Sequence, residues 1–160
     1  AFWEVGIAAA QIKVDTDTGV IRIPHYVSVA DVGVAINPQQ CEGQDEGASM
    51  QGLGHTLFEE MLYEDGQLLN PNLVDYKVPT FADLPDDLET TMIENHDGPG
   101  PFGAKGLGEG GIVSAAPSVA NALFQATGVR IKDLPLTPER VWRALSNAEA
   151  SSVDTDADTK

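Results

Sequence analysis

The feature that most constrains this chain is a glycine-rich stretch from Gly98 to Gly111. Half of its fourteen residues are glycine, and its single carboxylate is Glu109. Because glycine has no Cβ, such a cluster is too flexible for a helix or a strand and lets a backbone approach a ligand closely. The apolar stretch from Ile112 to Ala126 follows with helical spacing, so the loop leads into a helix N-terminus with unpaired N–H groups. This pattern predicts a cofactor or substrate loop that presents one acid.

The residues alone leave other interpretations of this loop open. A long turn whose glycines only relieve backbone strain has the same composition. Residues 106–111 also match the G-x-G-x-x-G pattern of dinucleotide-binding turns, but prolines and glycines precede them where that motif needs a buried strand. A Walker phosphate loop is excluded because Gly106 follows Lys105, where that motif has Ser or Thr.

Composition restricts the class of protein and its partners. The 160 residues suit one domain, and a hydrophobic content of 42% is enough for a core. The formal net charge of −16 argues against nucleic acid as a partner. The single cysteine, Cys41, excludes an intrachain disulfide and a four-cysteine metal site, and it favours a reducing compartment, so we expect a cytoplasmic protein. No apolar run is long enough for a membrane span.

The first third of the chain predicts a β-hairpin followed by a long helix. Period-two alternation from Val5 to Val14 indicates a half-buried strand, and the β-branched stretch from Val20 to Val32 pairs with it, with a bulge or an unpaired edge position at Pro24. Asn37 and Pro38 then form a typical helix start, and the helix is expected to reach about Met61.

Four glycines make this helix unusual, because each costs roughly 1 kcal/mol relative to alanine. Gly43, Gly47 and Gly54 fall on one face, which predicts a smooth stripe that packs against the sheet, a loop or a flat ligand. Gln44 and Gln51 share one side of the helix. Tight packing on the sheet with both glutamines solvated is the plainer interpretation of this pattern.

The remaining elements are shorter, and together they predict an α+β fold with a mixed sheet. We expect a hairpin over 62–69, a strand over 88–93, the helix after the glycine-rich loop ending at Gly128, and a brief strand over 129–131. Thr137 and Pro138 begin a last helix whose apolar side is Val141, Trp142 and Leu145. Residues 1–148 are predicted to form the folded domain, and 149–160 a disordered acidic tail.

The chain resembles the C-terminal part of the large, molybdenum-binding subunit of the xanthine dehydrogenase and aldehyde oxidase family. The resemblance covers about residues 5–147 and consists of short motifs in a specific order. These motifs are Asp31-Val32-Gly33, Ile36-Asn37-Pro38, Glu42-Gly43-Gln44, Gln51-Gly52-Leu53-Gly54, Asp75-Tyr76-Lys77-Val78-Pro79-Thr80, Phe102-Gly103-Ala104-Lys105-Gly106-Leu107-Gly108-Glu109 and Leu134-Pro135-Leu136-Thr137-Pro138-Glu139-Arg140. One departure is Gly110, where many members of the family have proline.

The resemblance implies a molybdenum hydroxylase with a molybdenum-pterin cofactor, either molybdopterin or its cytosine dinucleotide. Glu109 would be the general base that removes a proton as water-derived oxygen is transferred to an aldehyde or N-heterocycle carbon. Gln44 would hydrogen-bond the cofactor, and the backbone of Lys105, Gly106, Leu107 and Gly108 would line the pterin. The resemblance implies no residue here that binds the metal directly.

The family's large subunit is several times longer than this chain, so the resemblance also implies partners. These are the remainder of the large subunit, an FAD-binding subunit and a subunit with 2Fe-2S clusters, together with a small-molecule substrate. We expect the chain, which starts without Met, to be a fragment or one piece of a split subunit and to be inactive alone. The alternative function is a catalytically silent structural or binding domain that has kept the fold.

Overall fold

The computed structural model describes residues 4–157, with side chains through residue 150. The described residues form five strands and three helices: β1 (Val5–Val14), β2 (Ile21–Gly33), α1 (Pro38–Leu57), β3 (Tyr63–Glu64), β4 (Gln67–Leu68), β5 (Asp87–Glu94), α2 (Gly110–Thr127) and α3 (Pro138–Ala157). Single 3₁₀ turns lie at Phe81–Asp83 and Pro101–Gly103. None of the helices in the described part of the chain is both long and apolar enough to cross a membrane.

The main sheet has the strand order β1-β2-β5 and is mixed, as predicted. β2 is antiparallel to β1, which confirms the hairpin, and parallel to β5. The register of the hairpin shifts between Gln11, which pairs with His25, and Lys13, which pairs with Arg22. β2 therefore has an extra residue beside Pro24, where the missing N–H predicts a bulge. β3 and β4 form the expected short hairpin.

The helices cover one face of this sheet and form the core with it. Along β2 the buried residues alternate with more exposed ones, and α1 and α2 contact this buried face and each other. Side chains from all these elements and from α3 fill the core, including Tyr26, Leu53, Val119, Leu123 and Val141. The opposite face exposes apolar side chains such as Val5, Ile7 and Ile93. One sheet face is therefore packed and the other has no cover among the described residues.

α1 differs from its prediction at both its end and its glycine face. It ends at Leu57 instead of Met61, because the N–H groups of Phe58 and Glu59 both donate to the Gly54 carbonyl and the chain leaves the helix. The predicted packing of Gly43 and Gly47 is wrong: both are exposed, and a Cβ at either position would have no neighbour within 4 Å.

The close approach in α1 occurs at Gly52, on another face of the helix. A Cβ at Gly52 would lie 2.7 Å from the Ala115 Cβ and 2.8 Å from the Ile112 carbonyl oxygen of α2. Gly54, which belongs to the predicted stripe, lies against Pro79 and Glu59. Gly52, which allows α1 and α2 to approach closely, is therefore not one of the glycines of the predicted stripe.

The C-terminal region corrects two further expectations, the strand over 129–131 and the position of Trp142. Residues 129–131 form no strand, because none of the described strands pairs with them. Val141 and Leu145 are buried, but Trp142 is about half exposed because it lies one helical position away from their face. α3 continues to Ala157, beyond the expected boundary at 148, and no glycine or proline interrupts the helix there. The division into a domain and an acidic tail stays a prediction, and residues 158–160 lie outside the described part.

Candidate functional site

The glycine-rich loop is fixed to the end of β2 by backbone hydrogen bonds. The Lys105 N–H donates to the Val32 carbonyl at 3.0 Å, and the Val34 N–H donates to the Gly103 carbonyl at 3.1 Å. Gly33 lies between these bonds at φ +64, and a side chain there would collide with the Gly103 carbonyl oxygen. Glycine is therefore required where the loop meets the strand.

Asp31 connects the loop to two strands through its side chain. Its Oδ2 accepts from the Lys105 Nζ at 2.6 Å, and its Oδ1 accepts from the Asn95 side chain at 2.9 Å and from the Gly33 N–H at 3.1 Å. The hydrogen bond from Lys105, followed by that from Gly33, lowers the pKa of Asp31. The Lys105 side chain, only 13% exposed, is thus committed to Asp31. Because its N–H donates to Val32, only the Lys105 carbonyl is left for a ligand.

Gln44 and the loop are in direct contact. The Gln44 Nε2 donates to the Gly108 carbonyl at 2.8 Å, across 64 residues of sequence. Gly108 immediately precedes Glu109, so this bond brings the two predicted site residues to the same place. The carboxamide of Gln44 is exposed and keeps its oxygen and a second N–H for a ligand.

Glu109 occupies the N-cap position of α2 with its side chain exposed. The side chain makes no capping hydrogen bond, and the Glu109 carbonyl accepts from the Ile112 N–H at 3.1 Å. Among the described residues, the N–H groups of Gly106 and Leu107 donate no hydrogen bond. The site therefore presents one free carboxylate, a carboxamide and open backbone donors along one short surface.

Two further acids lie beneath this surface, at the first turn of α2. Asp45, next to Gln44, is 1% exposed; its Oδ1 accepts from the Ser28 hydroxyl at 3.3 Å and its Oδ2 has no partner among the described residues. Burial, which outweighs the bond from Ser28, raises the pKa of Asp45. The Glu4 carboxylate lies against the backbone at Gly110.

The pKa of Glu4 is also raised, chiefly by burial. The backbone N–H groups of Gly108 and Gly110 act in the opposite direction, while the negative charge of Asp45 raises the pKa further. The Glu4 Oε1 is buried and makes no well-formed hydrogen bond to any residue that the structure describes. Each acid thus has one buried oxygen without the partner that such an atom normally has.

Sequence reasoning missed Asp45, although its spacing carried a signal. The buried positions of α1 include Asp45, Ala48, Ser49, Gly52 and Leu53, which are separated by three or four residues. This series is the usual pattern of a helix face that packs on a core, and it begins with a carboxylate. Gly43 and Gly47 lie on the exposed face of α1, so the glycine stripe gives no indication of Asp45. Glu4 gives no comparable signal, because its neighbour Gly110 is 106 positions away in sequence.

A separate group of side chains on the sheet could hold a metal ion. His25 lies beside Asp87 and Glu89 on neighbouring strands, and one potential ligand atom from each lies within 4.8 Å of the others. His25 precedes the buried Tyr26, so it points to the opposite sheet face from the helices. Imidazole with two carboxylates is a donor set that divalent cations accept, but this group is not part of the surface formed by Gln44 and Glu109.

Comparison with known proteins identifies the family of this chain. The family model described as "Molybdopterin cofactor-binding domain" matches residues 1–85. This match includes Gln44 and the whole of β1, β2 and α1, and therefore more than half of the chain.

Similar proteins match most of this chain but only a small part of their own length. A probable hypoxanthine oxidase of Escherichia coli strain K12 is 36% identical over 141 residues, which is 88% of this chain and 15% of that protein. A putative xanthine dehydrogenase molybdenum-binding subunit of the same strain is 40% identical over 139 residues, 86% of this chain and 18% of that protein. The solved structure of the aldehyde oxidoreductase of Desulfovibrio gigas superposes with a TM-score of 0.75 at 36% identity, covering 84% of this chain and 15% of that one.

Proposed function

Because the chain belongs to the family of molybdopterin cofactor-binding domains, in the molybdenum-binding subunits of the xanthine dehydrogenase and aldehyde oxidoreductase group, we propose that it forms one part of a molybdenum hydroxylase. The reaction proposed is the hydroxylation of an aldehyde or N-heterocycle carbon with oxygen from water. The observation that carries the proposal is the 2.8 Å bond from the Gln44 Nε2 to the Gly108 carbonyl, which holds a polar amide beside the carboxylate of Glu109.

The residues present suit a flat polar cofactor with a pterin ring. The open N–H groups of Gly106 and Leu107 can donate to ring acceptors, and the lack of side chains at Gly106 and Gly108 allows close approach. The remaining N–H and the oxygen of Gln44 can donate and accept at once. When bound, the molybdenum-pterin group supplies the two-electron oxidation of the substrate.

The role proposed for Glu109 is that of a general base. Its side chain is exposed, makes no cap and forms no ion pair among the described residues, so it is free to accept a proton from the attacking oxygen. Asp31 and Lys105 hold the preceding part of the loop, which fixes where the carboxylate can lie. A positioned base typically contributes about 10² to 10⁴ in rate.

The proposed assembly follows from the length of the relatives. The chain spans less than a fifth of the curated relatives it matches, so the remainder of the large subunit is the first partner proposed. FAD-binding and iron–sulfur subunits are proposed as further partners, because the resemblance to molybdenum hydroxylases implies them and a similar protein is named as one subunit of a dehydrogenase complex. A cytoplasmic location stays a prediction from the single cysteine.

Two substitutions in the assembled protein test the proposed roles, because one should lower turnover and the other should lower cofactor content. Glu109→Gln keeps size and hydrogen bonding, so molybdenum and pterin content should stay normal while turnover of hypoxanthine or aldehydes falls by about 10² or more. Gln44→Ala should lower cofactor content itself. Glu46→Gln, which removes an exposed charge from the same helix as Gln44, is the matched control. Turnover by Glu109→Gln within about threefold of the parent is incompatible with a base role.

A further inference from the structure

The first turn of α2 is bounded by a carboxylate on each side. At Gly110 the Glu4 carboxylate occupies the space that a side chain would need. At Gly111 a Cβ would lie 2.8 Å from the Asp45 Oδ1. Two consecutive glycines therefore leave room for the two carboxylates at the helix start.

The surroundings of the two acids are polar but contain no compensating cation. Asp45 is faced by the Ser28 hydroxyl and by Tyr26, and the Tyr26 hydroxyl in turn lies against Ser49, Ser114 and Ser118. Among the described residues, no lysine, arginine or histidine influences the pKa of Glu4 or of Asp45. Each acid keeps one oxygen without a well-formed hydrogen bond. A buried carboxylate without a partner is costly, so these acids are not ordinary packing residues.

We propose that Glu4 and Asp45 form an acid pair that holds the first turn of α2 from two sides and thereby positions Glu109 and the bond from Gln44 to Gly108. Both acids act through the backbone and touch no reacting atom, so they are positioning residues. The role of the two acids in catalysis rests on the proposed function. That they hold the first turn of α2 in place does not depend on it.

The physical basis is that the closed loop favours the protonated form of these acids. Burial raises the pKa of both, and the negative charge of Asp45 raises that of Glu4 further. A protonated carboxyl can also donate a hydrogen bond, which an ionised carboxylate cannot. Opening of the loop exposes the acids to water and returns their pKa values toward the ordinary range. Opening should therefore release a proton, and it should become more frequent as the pH rises between the ordinary pKa values and the raised ones.

Amide hydrogen exchange in the assembled protein measures this opening without a substrate. For peptides that cover residues 103–113, and after correction for intrinsic exchange, opening in the parent should increase about tenfold per pH unit above the ordinary acid pKa values until the raised values are passed. The double variant Glu4→Gln with Asp45→Asn keeps shape and cannot titrate, so its slope should be flat. Glu46→Gln, on the exposed side of α1, should keep the parent's slope.

Each outcome decides the matter. A parent whose corrected exchange is independent of pH overturns the proposal, as does a double variant that retains the slope or a Glu46→Gln variant that loses it. If the double variant fails to assemble, the parent's slope alone decides. Molybdenum measured in the same samples separates the two claims: its absence refutes the proposed function, while the slope still decides whether the acid pair positions the loop.

Discussion

At the scale of single residues, Asp31 determines how the glycine-rich loop is held. One carboxylate accepts from the Lys105 ammonium, the Asn95 amide and the Gly33 N–H, and so joins the loop to the ends of β2 and β5. The lowered pKa of Asp31 means that its stabilising effect is complete above its ordinary pKa and is lost as the pH falls through the lowered value.

Asp31→Asn should therefore weaken the loop at neutral pH but much less in acid. The midpoint of denaturant unfolding should fall at pH 7. The difference from the parent should shrink as the pH drops below about 4, where the Asp31 carboxylate of the unfolded parent begins to be protonated, and further toward the lowered pKa of the folded state. Asp97→Asn, an exposed change a few residues from Asn95, is the control and should alter neither value. A deficit that is constant from pH 7 to pH 2.5 would show that the ionised form of Asp31 has no special role.

At the scale of elements, α1 contains glycines of two kinds that alanine should distinguish. Gly52→Ala places a methyl 2.7 Å from the Ala115 Cβ and against the α2 backbone, so it should destabilise the chain by about 1–3 kcal/mol. Gly47→Ala points into open space and should stabilise the helix by up to about 1 kcal/mol. Urea unfolding of the two variants measures the difference, and equal or reversed effects would contradict the packing of α1 on α2.

Local patterns predicted the elements well where one physical cause dominates. Alternation placed β1 at Val5–Val14, the cap of Asn37 with Pro38 placed the start of α1, and Gly128 in a left-handed conformation ends α2. In each case the signal lies within a few residues of the feature. The motif order likewise led to Gln44 and the loop, which the structure brings into contact.

The predictions failed where distant residues decide the outcome. α1 ends early partly because Asn70 binds the Glu60 carbonyl and the Leu62 N–H, which directs the following chain away from the helix axis. Residues 129–131, after α2, pair with none of the described strands. Which glycine of α1 meets α2 depends on the packing of both helices, and neither helix alone contains that information.

At the scale of the whole molecule, the described residues include several large apolar side chains that are exposed. Ile7 is 66% exposed on the outer sheet face, and Leu73 and Phe81 are 77% and 89% exposed in the irregular segment beyond α1. Large exposed apolar groups on several sides are typical of surfaces that another polypeptide covers. Since the chain covers less than a fifth of the length of these relatives, we expect the remainder of the large subunit to cover these side chains.

The most direct test of the proposed function is the molybdenum and pterin content of the complex that is purified from its natural host through an affinity tag on this chain. We expect one molybdenum and one pterin for each copy of the chain in the complex, and much less than one when the chain is expressed alone in a cell that makes the cofactor. A complex that is complete in its subunits but contains neither molybdenum nor pterin would contradict it.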